Sequence, residues 1–319
     1  MRFLVDGAVS AFAEPVRRAD LLVQHGARGQ SDVGLRLLAE WGLSLLIESR
    51  AAAEQRTVLL DFGYSSLALL NNAHLAGVDF ATVDALLLSH GHYDHFGGLN
   101  GLLQSGRLRP GIPMLVGGEE AFCHRLRGSA DNPLDFGAID RDALRRAQVS
   151  VRTESRPALL GHDMTTGQIP LAIESPRTPT WMEPGVNCDR RMLDSDKSGL
   201  ERIVDDSRHE LGLAYHMRGR GLVVFGSCSH RGILNTIQSA QRATGVHRLH
   251  AVVGGFHLVR PQTEDDTRRT AQALAELAPD YVVPGHCSGE WFISAAEAAM
   301  PGKIIRPYVG THVQFGTQG

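Results

Sequence analysis

No uninterrupted apolar run in the 319-residue chain approaches the roughly 18 residues that a membrane-spanning helix requires. The N-terminal Met1-Arg2-Phe3-Leu4-Val5-Asp6 places an acid where a secretory leader needs its apolar stretch, so the sequence predicts a cytoplasmic protein with no membrane partner. Neither sign of charge dominates. The formal net charge is -3 and the pI about 6.6, which gives no electrostatic reason to expect nucleic acid. Cys123, Cys188, Cys228 and Cys287 are too widely spaced for a zinc-finger pair or a dense disulfide framework, and reduced thiols are the expectation. Gly-x-Ser-x-Gly and P-loop motifs are both missing, which removes the usual sources of a serine nucleophile or a nucleotide-phosphate cradle.

What is present is material for a core: 43% of the residues are hydrophobic and 21% charged, so one large α/β or α+β domain spanning residues 1–319 is expected. Short apolar runs read as strands at Leu43 to Ile47, Val58 to Leu60, Ala85 to Leu88, Pro113 to Val116, Gly221 to Phe225, Leu249 to Val253 and Tyr281 to Val283. The turns that follow them carry chemistry-bearing residues. Asp61 follows the second run, His90 the third, Cys228 and His230 the fifth, His257 the sixth and His286 the seventh. Strands packed in sheets would bring these turns to one cleft. Helical spacing marks Ser65 to Asn72, Leu99 to Leu103, Ile233 to Thr244 and Asp265 to Leu277. Residues 119–208 are rich in Arg, Asp, Pro and Gly with weaker periodicity, and read as an insertion or lid.

His90, His92, Asp94 and His95 put three imidazoles and a carboxylate within six residues, in a turn straight after a strand. Extended spacing of two sends His90 and His92 the same way toward one ion, while the turn swings Asp94 and His95 toward a second. Zinc suits such ligands.

The run Ser89-His90-Gly91-His92-Tyr93-Asp94-His95-Phe96-Gly97-Gly98 resembles the HxHxDH signature of the metallo-β-lactamase superfamily. That resemblance implies an αββα sandwich with two metal ions at one edge of the paired sheets, and proteins that this run resembles also use manganese, iron or magnesium. His209 resembles the third-motif ligand histidine and His286 the last one, while Asp61 in Asp61-Phe62-Gly63 resembles the first motif, whose carboxylate orients metal-binding groups. Where most members have a bridging aspartate this chain has Gly226-Ser227-Cys228-Ser229-His230, which leaves Cys228 and His230 as alternative ligands. Trp41 to Glu48, Thr165 to Pro170, Ser227 to Gly232, Gly254 to Leu258 and Pro284 to Cys287 are together similar to the subgroup named for 7,8-dihydropterin-6-methyl-4-(β-D-ribofuranosyl)aminobenzene 5′-phosphate synthase.

The resemblance implies a metal-dependent hydrolase that uses a metal-activated water on a small-molecule ester, lactone or phosphoester, with Asp94 binding metal and orienting the nucleophile. His257 is a candidate acid or substrate contact, and Arg231 with Gly232 opens a helix whose N-terminus favours an anionic substrate group. Two other readings stay open: a pterin-type condensing synthase acting on a diphosphate-activated substrate, and a ligand-binding protein that keeps the fold without turnover. A homo-oligomer is compatible with all three.

Overall fold

The computed structural model describes residues 1–26, 36–129, 131–172 and 180–316. Side chains of the central strands alternate between two cores, as the period of two requires. Leu45, Ile47, Val58, Leu60 and Leu87 point inward from one sheet to meet Leu213, Val223, Phe225, Val253 and Val283 from the other. Leu46, Leu59 and Leu86 point outward against helices Ser66–Leu75 and Leu99–Gln104. On the opposite side Leu222, Val224, Val252 and Val282 pack against Ile233–Thr244, Glu264–Glu276 and Glu290–Ala299. The layers are therefore helix, sheet, sheet, helix, and the strands are apolar throughout because both their faces are covered.

Among the described residues the first sheet has nine strands, with Glu54–Leu60, Ala85–Leu87 and Pro113–Val116 as parallel neighbours. The second has six, of which Gly221–Phe225, Leu249–Gly254 and Tyr281–Pro284 run parallel. Every strand and helix read from the sequence is present, with ends displaced by a few residues. Parallel strands finish at a common edge, and there the turns after Leu60, Leu87, Phe225, Gly254 and Pro284 converge. Asp61, Ser229, His257 and His286, one in each of four of these turns, have φ of 57°, 58°, 48° and 49°. Non-glycine residues adopt that left-handed conformation at a cost, so these four turns carry backbone strain at the cleft.

The stretch 119–208 is not the single insertion expected. Ser150–Thr153 pairs with Pro113–Val116 at the edge of the first sheet, and Leu159–Leu160 and Asp163–Gln168 join the second. The Ser150–Thr153 strand is exposed along its length, which is why it carries so little apolar periodicity. What stands apart is a small four-stranded sheet of Ile203–Val204, Thr180–Glu183, His124–Arg127 and Leu134–Gly137. Residues 130 and 173–179 of the expected lid lie outside the described residues. A Cys123–Cys188 disulfide ties this sheet to the loop that follows Thr180–Glu183, correcting the expectation of four reduced thiols. The two cysteines are 65 residues apart and meet only through the fold. Among the described residues no helix is long and apolar enough to cross a membrane.

Candidate metal centre

Asp61, fully buried, is the anchor of the cleft. Its Oδ1 accepts the Ser89 amide at 2.7 Å, and its Oδ2 accepts Ser89 Oγ at 2.7 Å, His95 Nδ1 at 2.7 Å and the Ser227 hydroxyl. Holding a proton at His95 Nδ1 aims Nε2 into the cleft as the atom that a cation would take. Ser89 Oγ, its own proton given to Asp61, accepts from His90 Nδ1 at 2.9 Å, so His90 also presents Nε2.

Besides the cluster of Asp61 with His90 and His95, two sets of donor atoms result. Those of Asp94, His95, Cys228 and His286 all lie within 4.8 Å of one another, and so do those of His90, Cys228 and His230. Cys228 Sγ is 3.4 Å from both His95 Nε2 and His286 Nε2, and Asp94 Oδ2 is 3.5 and 3.4 Å from the same two nitrogens. The His90 and His230 Nε2 atoms are 3.1 Å apart. His92 stands beside them, its ring 4.6 Å from that of His90 and 4.5 Å from that of His230. The alternatives Cys228 and His230 therefore both reach the cleft, with Cys228 common to the two sets.

The electrostatics divide along the same line. Burial, reinforced by neighbouring imidazoles, pushes His90 and His230 well below the usual histidine range and keeps them neutral. At His95 burial opposes the charge, but Asp94 and Asp61 outweigh it and raise the group to about 9. Burial likewise opposes ionisation of Asp94, yet His95 and His286 hold its carboxyl well below the usual carboxylate range. Without metal, protons on two imidazoles thus gather around one carboxylate where the donor atoms converge. A divalent cation fits that place: imidazole, thiolate and carboxylate are suitable donors, and the ligand protons would leave as it binds.

His209 joins neither set, contrary to the expectation of a third-motif ligand. Its Nε2 accepts the Gly91 amide and an Arg125 guanidinium N–H, each at 3.1 Å, and its Nδ1 faces Glu120 at 3.5 Å. Arg125, from the small sheet, has no exposed surface and donates from Nε to Asp205 at 2.7 Å; Asp205 in turn lies 3.5 Å from His92 Nε2. Gly91 makes this contact possible, because a Cβ there would collide with the Ala121 carbonyl and the Arg125 guanidinium. Arg125 and Asp205 sit in the stretch of weak periodicity, and no sequence spacing marks them.

The expected anion site at Arg231 and Gly232 is filled by the chain itself. Glu210 accepts the amides of His230 and Arg231 at 2.8 and 2.7 Å, while the Arg231 side chain donates to the Ile169 and Asp206 carbonyls at 2.9 and 3.0 Å. His257 does reach the cleft: its ring is 4.4 Å from that of His230, and it is partly open to solvent. Cys287, whose chemistry sequence reasoning did not single out, lies with its Sγ 3.3 Å from Cys228 Sγ. At the mouth the half-exposed Trp41 ring is 4.8 Å from His286, and Phe136 of the small sheet is 5.8 Å from His92.

A sandwich of this layering with histidine, carboxylate and cysteine donors at one sheet edge defines a class. Residues 42–180 match the model of the metallo-β-lactamase superfamily. Tm1679, described as a metal-dependent hydrolase of the β-lactamase superfamily, superposes with a TM-score of 0.71 at 25% identity, covering 99% of this chain and 98% of that one. The 7,8-dihydropterin-6-methyl-4-(β-D-ribofuranosyl)-aminobenzene-5′-phosphate synthase of Methanocaldococcus jannaschii is 27% identical over 84% of this chain and 90% of its own length. An uncharacterized protein of the same organism, MJ0448, is 24% identical over 86% of this chain.

Proposed function

We propose that the protein is a metal-dependent hydrolase with a two-ion centre, acting on a small-molecule ester, lactone or phosphoester. The observation that carries this reading is the pair of adjoining donor sets sharing Cys228. His90, His92 and His230 would hold one ion and Asp94, His95 and His286 the other, with Cys228 between them. Bound there, zinc or a similar ion supplies Lewis acidity and makes a water nucleophilic near neutral pH.

The chain's own groups do the rest. Asp61, Ser89 and Ser227 fix which nitrogen of His90 and His95 faces the cleft, so the site is set before substrate arrives. Asp94, ionised in the native state, keeps negative charge beside the attacking position. His257, at the solvent edge beside His230, is placed to hand a proton to the departing group. The small sheet acts as the lid, with Phe136 and Trp41 setting which substrates enter.

Identity to the M. jannaschii synthase favours a second reading, a condensation that joins a dihydropterin to a ribofuranosylaminobenzene phosphate. Purified protein of measured metal content, tested on ester, lactone and phosphodiester substrates and separately for that condensation, separates the two. Hydrolysis lost in H92A and D94A while the fold persists is the expected result; turnover in metal-free H92A would sink the hydrolase reading.

A further inference from the structure

Two buried thiols meet inside the cleft, and one of them is a shared donor. Cys228 Sγ and Cys287 Sγ are 3.3 Å apart, and both residues are almost wholly shielded from solvent. Cys287 also receives the His257 amide at 3.3 Å, which holds its sulfur against Cys228. A disulfide needs the sulfurs at about 2.05 Å, so the two are a little over an ångström from bonding distance. The same chain forms the Cys123–Cys188 disulfide elsewhere. The difference between the two pairs is that Cys228 also belongs to both donor sets.

We propose that Cys228 and Cys287 are a redox modification site, in which a disulfide and bound metal exclude one another because both need the Cys228 sulfur. The inference rests on Cys228 as a metal donor, as in the function proposed above. With hydrogen peroxide as oxidant, one thiol sulfur attacks a peroxide oxygen, the O–O bond breaks, and water leaves with the thiol proton. The sulfenic acid so formed is attacked by the second sulfur. Its hydroxyl departs as a second water carrying the other proton, and the S–S bond forms. The two thiols lose two electrons in all, and the peroxide gains them. Metal bound through Cys228 withholds that sulfur and protects the pair, whereas oxidation removes a ligand and expels the metal.

The test uses the full chain, metal-depleted with a chelator and then treated with hydrogen peroxide, with and without zinc. The metal-free protein is expected to lose two hydrogens in intact mass and to yield a peptide linking Cys228 to Cys287. Zinc at about a hundred times its Kd leaves about one molecule in a hundred metal-free and should slow crosslinking about a hundredfold. The oxidised protein should take up no zinc at the Cys228 position until a thiol reductant restores it, and C287S should bind zinc yet form no linked peptide. Absence of that peptide from oxidised metal-free protein, or crosslinking as fast with zinc as without, overturns the proposal. Mass and metal content are read without turnover, so a failure to hydrolyse any substrate would damage the proposed function and leave this linkage standing.

Discussion

His90 and His230 face one another Nε2 to Nε2 across 3.1 Å, although 140 residues separate them in the chain. Both are neutral because burial and neighbouring imidazoles disfavour their charged forms, so a lone pair remains available there. His209, by contrast, has its Nε2 engaged by Gly91 and Arg125. His230→Ala should therefore lose about half of the bound metal in elemental analysis, while His209→Gln, which keeps an acceptor for Arg125, should retain both equivalents. The reverse pattern would restore His209 as the ligand.

Asp61 gathers four donors, including the Nδ1 of His95. Asp61→Asn loses the charge that fixes the His95 orientation and should weaken metal affinity about 10- to 100-fold with the fold intact. Competition with a chromophoric chelator measures the shift; unchanged affinity would reduce Asp61 to a turn former.

Glu210 pins the turn that leads into the Ile233–Thr244 helix through two charge-assisted bonds, from the His230 and Arg231 amides. Glu210→Gln keeps one good acceptor and loses the charge, so urea unfolding should show a loss of about 1–3 kcal/mol. Added phosphate should not rescue it, because the position belongs to a buried side chain and not to a ligand.

Glu120 supplies a pH dependence. Burial disfavours its charge, but His209 and Lys197 prevail and bring it down from 4.5 to about 2. A folded-state pKa below the unfolded one means the contribution is complete above about pH 4.5 and is lost as pH falls toward 2. The difference corresponds to about 3 kcal/mol. Wild-type protein should thus lose more stability than Glu120→Gln between these pH values, as measured by denaturant midpoints; parallel curves would show that the Lys197–Glu120 pair at 2.9 Å contributes nothing net.

The part of the site legible in the sequence was the part made by local geometry. His90, His92, Asp94 and His95 sit in one turn, and Asp61, His257 and His286 each follow an apolar strand, so periodicity alone delivered them to one edge. Cys228 and His230 stayed alternatives because the sequence cannot show that both turn into the cleft, Cys228 toward His95 and His230 toward His90, partners more than 130 residues away. Arg125, Asp205 and Glu210 were illegible for a different reason. Their roles are long-range hydrogen bonds, and a buried charge satisfied by carbonyls and amides leaves no pattern of its own. The helix start just after Arg231 was legible, but not that the Arg231 amide and side chain are already taken, by Glu210 about twenty residues upstream and by the Ile169 and Asp206 carbonyls.

The Arg125 guanidinium seated over Gly91 bears on how this site diversifies. Its strand, His124–Arg127, is tied into the histidine turn through His209 and Asp205, so the small sheet cannot be exchanged wholesale for that of a relative without refitting the turn beneath. Within the small sheet, the room for change lies in its outer elements, Leu134–Gly137 and the loops around it, where Phe136 looks toward the cleft and Leu134 toward water. A chimera that transplants the outer hairpin alone should inherit a new preference, and one that transplants the inner strand should inherit an empty centre.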